Sequence, residues 1–436
     1  MVKRQGATAA ELQRDPYLDA LRAGALLVVV LGHWVATLPR VENGTLVDTE
    51  HILDVWAPAG FFTWLVQVVP LFIFVSAAVS SEGVRQRLRS GQAHAHWWAG
   101  RALGLARPTV TYMAVLVTIV GIAAFTGGEI LGPLNNSLTV HLWFLLTLLG
   151  VQALLPLSIR ADERWGLKAV VGLILMVAAV DLIRALPAAP RELAGLGGLV
   201  TDKHDLFAWI NGVAVWLVPQ QLGIAWWNGR FKGRAAGFTL LLLGVVWLGL
   251  SVASGYPVSM VNGNLGGDTN LLPPTLAFLG VMWLQIGAAL VFEDPIRGFL
   301  KRRRLGRWMA VFGALGLQLY LWHKFAELPA TWLGVRLGLP IDTGMPGEEG
   351  FWVGRLGWIA LCTLIVAPLM LAVLAIERRR VRDIPQATSP TAIIAGGAAL
   401  LIGLAASLGL GAYPGALIGL LGVAAASYML RAHPKA

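Results

Sequence analysis

The sequence predicts an all-α fold: a polytopic transmembrane helix bundle, with ten spans in its main body and a two-span hairpin at the C-terminal side. Three observations predict it. Hydrophobic residues make up 56% of the 436 and charged residues only 13%, the balance of a membrane chain. Apolar stretches recur along the whole length, most of them near the ~20 residues that a helix needs to cross a bilayer. The Lys and Arg residues crowd into alternate loops, as the positive-inside bias requires. That pattern also accounts for the net charge of +10 without invoking nucleic acid. It places the chain in the cell membrane as a multi-pass protein with both termini cytoplasmic.

The expected spans fall near 17–38, 58–80, 105–125, 140–158, 168–187, 206–226, 235–254, 273–293, 309–328, 351–376, 391–410 and 414–430. They divide the chain into a polar tail at 1–14, a transmembrane body at 15–385, and a hairpin with a short tail at 386–436. The tail shows no signal-peptide pattern.

The first span, YLDALRAGALLVVVLGHWVATL, is the most informative stretch. It carries Asp19, Arg22 and His33, and a central Arg or Asp costs roughly 2.5 to 3.5 kcal/mol on insertion scales. Arg22 and His33 are eleven positions apart, which places them within about 20° on one stripe, roughly 16 Å apart in depth. Two readings stand for Arg22. It pairs structurally with Asp19 at i+3, or it lies with His33 on a pathway where Arg holds an anion and His handles a proton.

The loop 39–57 holds Glu42, Asp48, Glu50, His51 and Asp54, and reads as a solvated loop or a place to meet an acceptor. Pro70 falls inside the second span, where neighbours can resatisfy the freed backbone. The inner segment 81–107 reads as a long basic connection. Its Arg85, Arg87, Arg89, Arg101 and Arg107 suit phosphate groups or simply orientation and lipid head groups. His94 and His96 have H-x-H spacing, but no third ligand lies near and Trp97-Trp98 follow, so no metal site is expected there.

The fourth span opens HLWFL with His141 and Trp143. Asp181 and Arg184 in the fifth can pair at i+3. The segment 188–205 and the loop 255–274 carry turn-forming Gly, Pro and Asn. The inner loop 293–308 is the strongest basic cluster. In the ninth span Tyr320, His323 and Glu327 share a face, and Lys324 is the other cation within a span. The lone Cys362 excludes an intrachain disulfide and a Cys-based metal site. The last two spans are rich in Ala, Gly and Leu and read as a packing hairpin.

These residues also carry a resemblance. YLDALRAGALLVVVLGHW resembles the signature of the integral-membrane acyltransferase-3 family, an Arg followed after ten residues by His, here Arg22 and His33. HLWFL at 141–145, TNLLPPTLAFLGVMWLQIGAAL at 269–290 and LYLWH at 319–323 are similar to later family segments, particularly of actinobacterial-type members. The match covers roughly 14–380.

The resemblance implies an acyl-CoA-dependent O-acyltransferase. It would move an acyl group, commonly acetyl from acetyl-CoA, to a hydroxyl of an extracytoplasmic or membrane-linked acceptor, usually a glycan of the cell envelope. By position His33 takes the catalytic role. Arg22, with Asp19, Arg101 and Arg107, takes donor binding or proton coupling. His141, Trp143, Tyr320 and His323 are candidates to line the cavity. Acyl-CoA enters as co-substrate and no metal is implied. The family's inner-loop R-x-x-R is incomplete here, because Gly104 follows Arg101 at i+3 and Arg107 lies three residues further on. With no fused esterase-like domain in these residues, transfer is expected to finish in the membrane domain. The competing reading is a twelve-span transporter or lipid-handling protein using Arg22 and His33 as a relay. The absence of an internal repeat speaks against it.

Overall fold

A computed structural model describes residues 15–126, 137–186, 207–263, 269–301, 303–380, 389–410 and 414–431. The 1–14 tail and the 188–205 segment lie outside them. The described chain is the all-α bundle that composition predicts, with one two-stranded sheet.

Helix α1 (Pro16–Ala36) begins on Asp15, whose carboxylate accepts the Tyr17 N–H at 3.0 Å, with Pro16 in the first turn. Both choices suit a helix start, since the first N–H groups have no partner within the helix. The chain then forms β1 (Thr37–Glu42) and β2 (Thr45–His51), antiparallel about Asn43-Gly44. Both turn residues have positive φ, 50° and 73°, the geometry for which Asn-Gly is favoured. The expected solvated loop is therefore a hairpin, continued by α2 (Ile52–Val55).

Next come α3 (Ala59–Val66) and α4 (Val69–Arg89). They break at Gln67-Val68, so Pro70 sits in the first turn of α4, where its missing N–H costs nothing. Only four residues separate α4 from helix α5 (His94–Phe125). The expected long connection at 81–107 is thus almost wholly helical. Charge ends the hydropathy signal there, but Arg, Gln and Ala are good helix formers and the helices continue.

The chain continues through α6 (Ser137–Val140), α7 (Trp143–Ala153), α8 (Leu155–Trp165) and α9 (Leu167–Ala185). After a single 3₁₀ turn follow α10 (Asn211–Trp227), α11 (Gly233–Ala253), α12 (Phe278–Val291) and α13 (Glu293–Leu300). The last four are α14 (Arg303–Arg336), α15 (Phe351–Arg380), α16 (Pro390–Gly409) and α17 (Ala416–Met429). Among the described residues, six spans are long and apolar enough to cross a membrane: α1, α3 with α4, α5, α11, α15 and α16. Two bent pairs bring the number to eight, α6–α7 with α8 at 50° and α12 with α13 at 52°. The basic 293–308 stretch is thus helical for the most part, α13 turning off the end of α12.

Small residues set the closest helix contacts. A Cβ on Gly237 of α11 would lie 2.8 Å from the Val291 nitrogen of α12, and one on Gly422 of α17 2.6 Å from Gly403 Cα of α16. Such approach is how membrane helices gain packing without a hydrophobic driving force.

Helix α1 is the seam between the two main cores. Its Tyr17 and Leu18 join the cluster of α4, α10 and α12, while Leu26, Val30 and Trp34 join that of α5, α14, α15 and the C-terminal hairpin. The start of α1 is tied down by Arg297, which grips both Asp15 oxygens at 2.7 and 2.8 Å. At its other end Arg40 of β1 reaches Glu50 at 2.5 Å and Asp342 at 3.0 Å.

Candidate active site

His33 lies near the end of α1 and His323 in the middle of α14. Their rings stack with centroids 5.0 Å apart, and His33 Nδ1 is 2.7 Å from His323 Nε2. Trp34 Nε1 donates to the His323 carbonyl at 3.0 Å, locking the two helices together at this level. His323 Nδ1 is 2.7 Å from the Tyr320 carbonyl.

A carbonyl can only accept, so in a neutral ring His323 carries its proton on Nδ1 and presents a lone pair at Nε2. His33 must then donate from Nδ1. In neutral His33 that leaves Nε2 unprotonated, with its lone pair uncommitted.

The end of α1 is held by groups from two other helices. Arg355 of α15 donates to the Trp34 and Thr37 carbonyls, the second at 2.7 Å, and Trp358 Nε1 donates to the Trp34 carbonyl at 2.9 Å. The last carbonyls of a helix lack partners within it, and a cation there also complements the helix dipole. Beside them Lys324 Nζ contacts Glu327 at 2.7 Å and Thr37 Oγ1 at 3.1 Å, all three buried.

Nothing in the sequence pattern assigns this group to the site. Its signals were the i, i+3 spacing of Lys324 and Glu327 and a single Arg near the start of an apolar span. His51, at the end of β2, faces the same group. Burial and the nearby Lys324 ammonium lower its pKa to about 4.

A cavity of about 460 Å³ opens against His33. His51, His141, Trp143 and Tyr320 line it as well. His141 sits at the corner between α6 and α7, ringed by Tyr112, Tyr320 and His323 with centroids 5.4 to 5.6 Å away. Its carbonyl accepts the Tyr320 hydroxyl, which fixes the corner. His141 is 1% exposed, and among the described residues no side chain hydrogen-bonds its ring. Of the four residues expected to line a cavity, His323 alone does not, because it stands behind His33 as its partner.

On the side toward the start of α1, the Arg22 guanidinium lies 5.6 Å from the Phe72 ring centroid, and its Nε has no hydrogen-bond partner among the described residues. No ion pair within 4.0 Å joins Arg22 to Asp19 among the described residues, although Asp19 stays within electrostatic reach of the guanidinium. Arg101 of α5 is within electrostatic reach of Arg22, stacks 5.3 Å from the Trp97 centroid and reaches Ser80 Oγ at 3.4 Å. Arg107 lies on the same helix as Arg101. The continuous helix α5 separates them by six residues, about 120° around its axis.

A family model described as an acyltransferase domain matches residues 15–376. No curated protein and no solved structure matches the chain.

Proposed function

We propose that this chain, which belongs to the acyltransferase-3 family and is a membrane acyltransferase, moves an acyl group from cytoplasmic acyl-CoA to a hydroxyl of an extracytoplasmic or membrane-linked acceptor. Acetyl-CoA is the simplest donor. The observation that carries this reading is the tautomer chain at the cavity: His33 gives its Nδ1–H to His323, so its Nε2 is free to take a proton.

A hydroxyl is a weak nucleophile until a base removes its proton, and a positioned base contributes typically about 10²- to 10⁴-fold. In the proposed step the acceptor oxygen attacks the thioester carbonyl while its proton passes to His33 Nε2. The C–O bond forms, the C–S bond breaks, and the proton goes on to the departing thiolate sulfur. His323 accepts from His33 Nδ1 throughout and so steadies the imidazolium. The thioester needs no further activation beyond a donor for the oxygen that gains charge. His141 suits that role, since it lines the cavity beside His33 and a neutral imidazole carries one N–H to donate.

Arg22 and Arg101 would meet the donor's phosphates through charge-assisted hydrogen bonds. Orientation follows from charge. The end of α1 that Arg297 clamps is the end where the basic segments are expected, and the positive-inside bias assigns it to the cytoplasm. The donor then arrives past Arg22 and the acceptor from the other side.

The test is transfer by purified protein in detergent or nanodiscs, supplied with labelled acetyl-CoA and cell-envelope extract. Ester-linked label with release of the CoA thiol is expected. A protein that neither binds acyl-CoA nor releases the thiol would overturn the reading.

A further inference from the structure

The walls of the cavity beside His33 bear on what the acceptor is. Leu26, Val29, Val69 and Phe72 line it, and no Asp, Glu, Asn, Lys or Arg is among its described lining residues. Two of its polar groups are already engaged. Thr63 Oγ1 donates to the Gly60 carbonyl at 2.5 Å and accepts the Met260 N–H at 2.9 Å, while Gln67 Nε2 donates to the Met260 carbonyl at 3.2 Å. The Tyr320 hydroxyl is spent on the His141 carbonyl. A sugar placed here would leave most of its hydroxyls unpaired, at about 1–3 kcal/mol each.

The cavity also has an open flank. Leu31 of α1 and Phe62 and Val66 of α3 line it and are 43%, 54% and 37% exposed. On a bundle that spans a membrane, exposed apolar faces meet lipid tails. Trp352 lines the cavity at the start of α15 and is also exposed, and Trp favours the membrane–water interface.

From this lining and this opening we infer that the acceptor is a hydroxyl-bearing lipid. It enters sideways from the bilayer between α1 and α3, its hydrocarbon fills the apolar cavity, and its hydroxyl is presented to His33 Nε2. The inference rests on the acyl-transfer reading and replaces the glycan expected from the resemblance. The lipid oxygen forms the new ester C–O bond, the thioester C–S bond breaks, and the hydroxyl proton passes through His33 to the CoA sulfur.

The experiment uses the full chain in phosphatidylcholine nanodiscs with radiolabelled acetyl-CoA. Hexadecanol in the bilayer and methyl glucoside in solution serve as the two acceptor probes. Label is expected in the hexadecyl ester and not on the glucoside. Val66→Trp, on the exposed flank, is expected to lower hexadecanol acylation by about tenfold or more at unchanged melting temperature. Leu364→Trp on the outer face of α15, away from the cavity, is expected to leave it unchanged.

Label on the glucoside with none on hexadecanol would overturn the lipid acceptor and leave acyl transfer standing. Wild-type hexadecanol acylation by Val66→Trp would overturn the entrance. A Val66→Trp protein that instead discriminates between acetyl-CoA and octanoyl-CoA, at unchanged alcohol use, would assign the cavity to the donor's chain and overturn the inference. Failure to release CoA thiol with any acceptor would remove the acyltransferase reading itself.

Discussion

His33 Nδ1 and His323 Nε2 meet at 2.7 Å across 290 positions of sequence, and the Tyr320 carbonyl behind them sets the direction of both protons. His323 is thus a positioning residue, acting through His33. His323→Ala is expected to lower kcat by about 10²- to 10⁴-fold, up to the whole contribution of a positioned general base, with little change in donor KM. His323→Gln, which keeps an acceptor near the same place, should recover part of the rate. Equal loss in both variants, or a loss confined to KM, would argue against the tautomer chain.

The buried Lys324–Glu327 pair predicts an asymmetric cost. Removing one partner strands the other charge, and such changes cost about 3–5 kcal/mol. Glu327→Ala is therefore expected to lower the melting temperature sharply. The double variant Lys324→Met/Glu327→Leu, which removes both charges at similar volume, should lose far less. Thermal unfolding in detergent measures this, and an additive double variant would contradict the coupling.

Arg22 tests the donor side. Among the described residues it makes no ion pair within 4.0 Å, Asp19 acting on it only at longer range. Arg22→Ala is expected to raise the acyl-CoA KM by about 10- to 100-fold, the equivalent of the 1.5–3 kcal/mol of a charged hydrogen bond. Wild-type donor kinetics would make Arg22 a structural residue.

His51 predicts a pH dependence at the hairpin end. Burial, and then Lys324, lower its pKa from 6.5 to about 4 in the folded protein. A lowered pKa means that the unfolded chain binds the proton first as pH falls. The stability His51 contributes is therefore full above about pH 6.5 and is lost progressively as pH falls from there through about 4. His51→Gln should flatten the melting temperature over that window relative to wild type. Parallel profiles would exclude His51 as the source.

Much of this was legible in the sequence, and the exceptions have physical causes. Helix α1, with Arg22 and His33 on one stripe, follows from hydropathy and helical period alone. So does the shared face of Tyr320 and His323. Their meeting with His33 does not, because nothing local records which face of α14 turns toward α1. The β-hairpin was hidden because its acidic residues read as a solvated loop. Its signal was Asn43-Gly44 between two alternating segments. The helical 81–107 stretch was hidden because hydropathy reports where the bilayer ends, and α4 continues beyond the apolar stretch to Arg89. Arg355, near the start of α15, caps the carbonyls that close α1 beside His33, and nothing local in the sequence records that contact.

The most direct test is acyl transfer by purified His33→Ala, measured beside wild type with its melting temperature and membrane insertion. Transfer is expected to fall to background while the variant remains folded and inserted and still binds acyl-CoA. Wild-type transfer by a folded His33→Ala protein would contradict the assignment of His33 as the base.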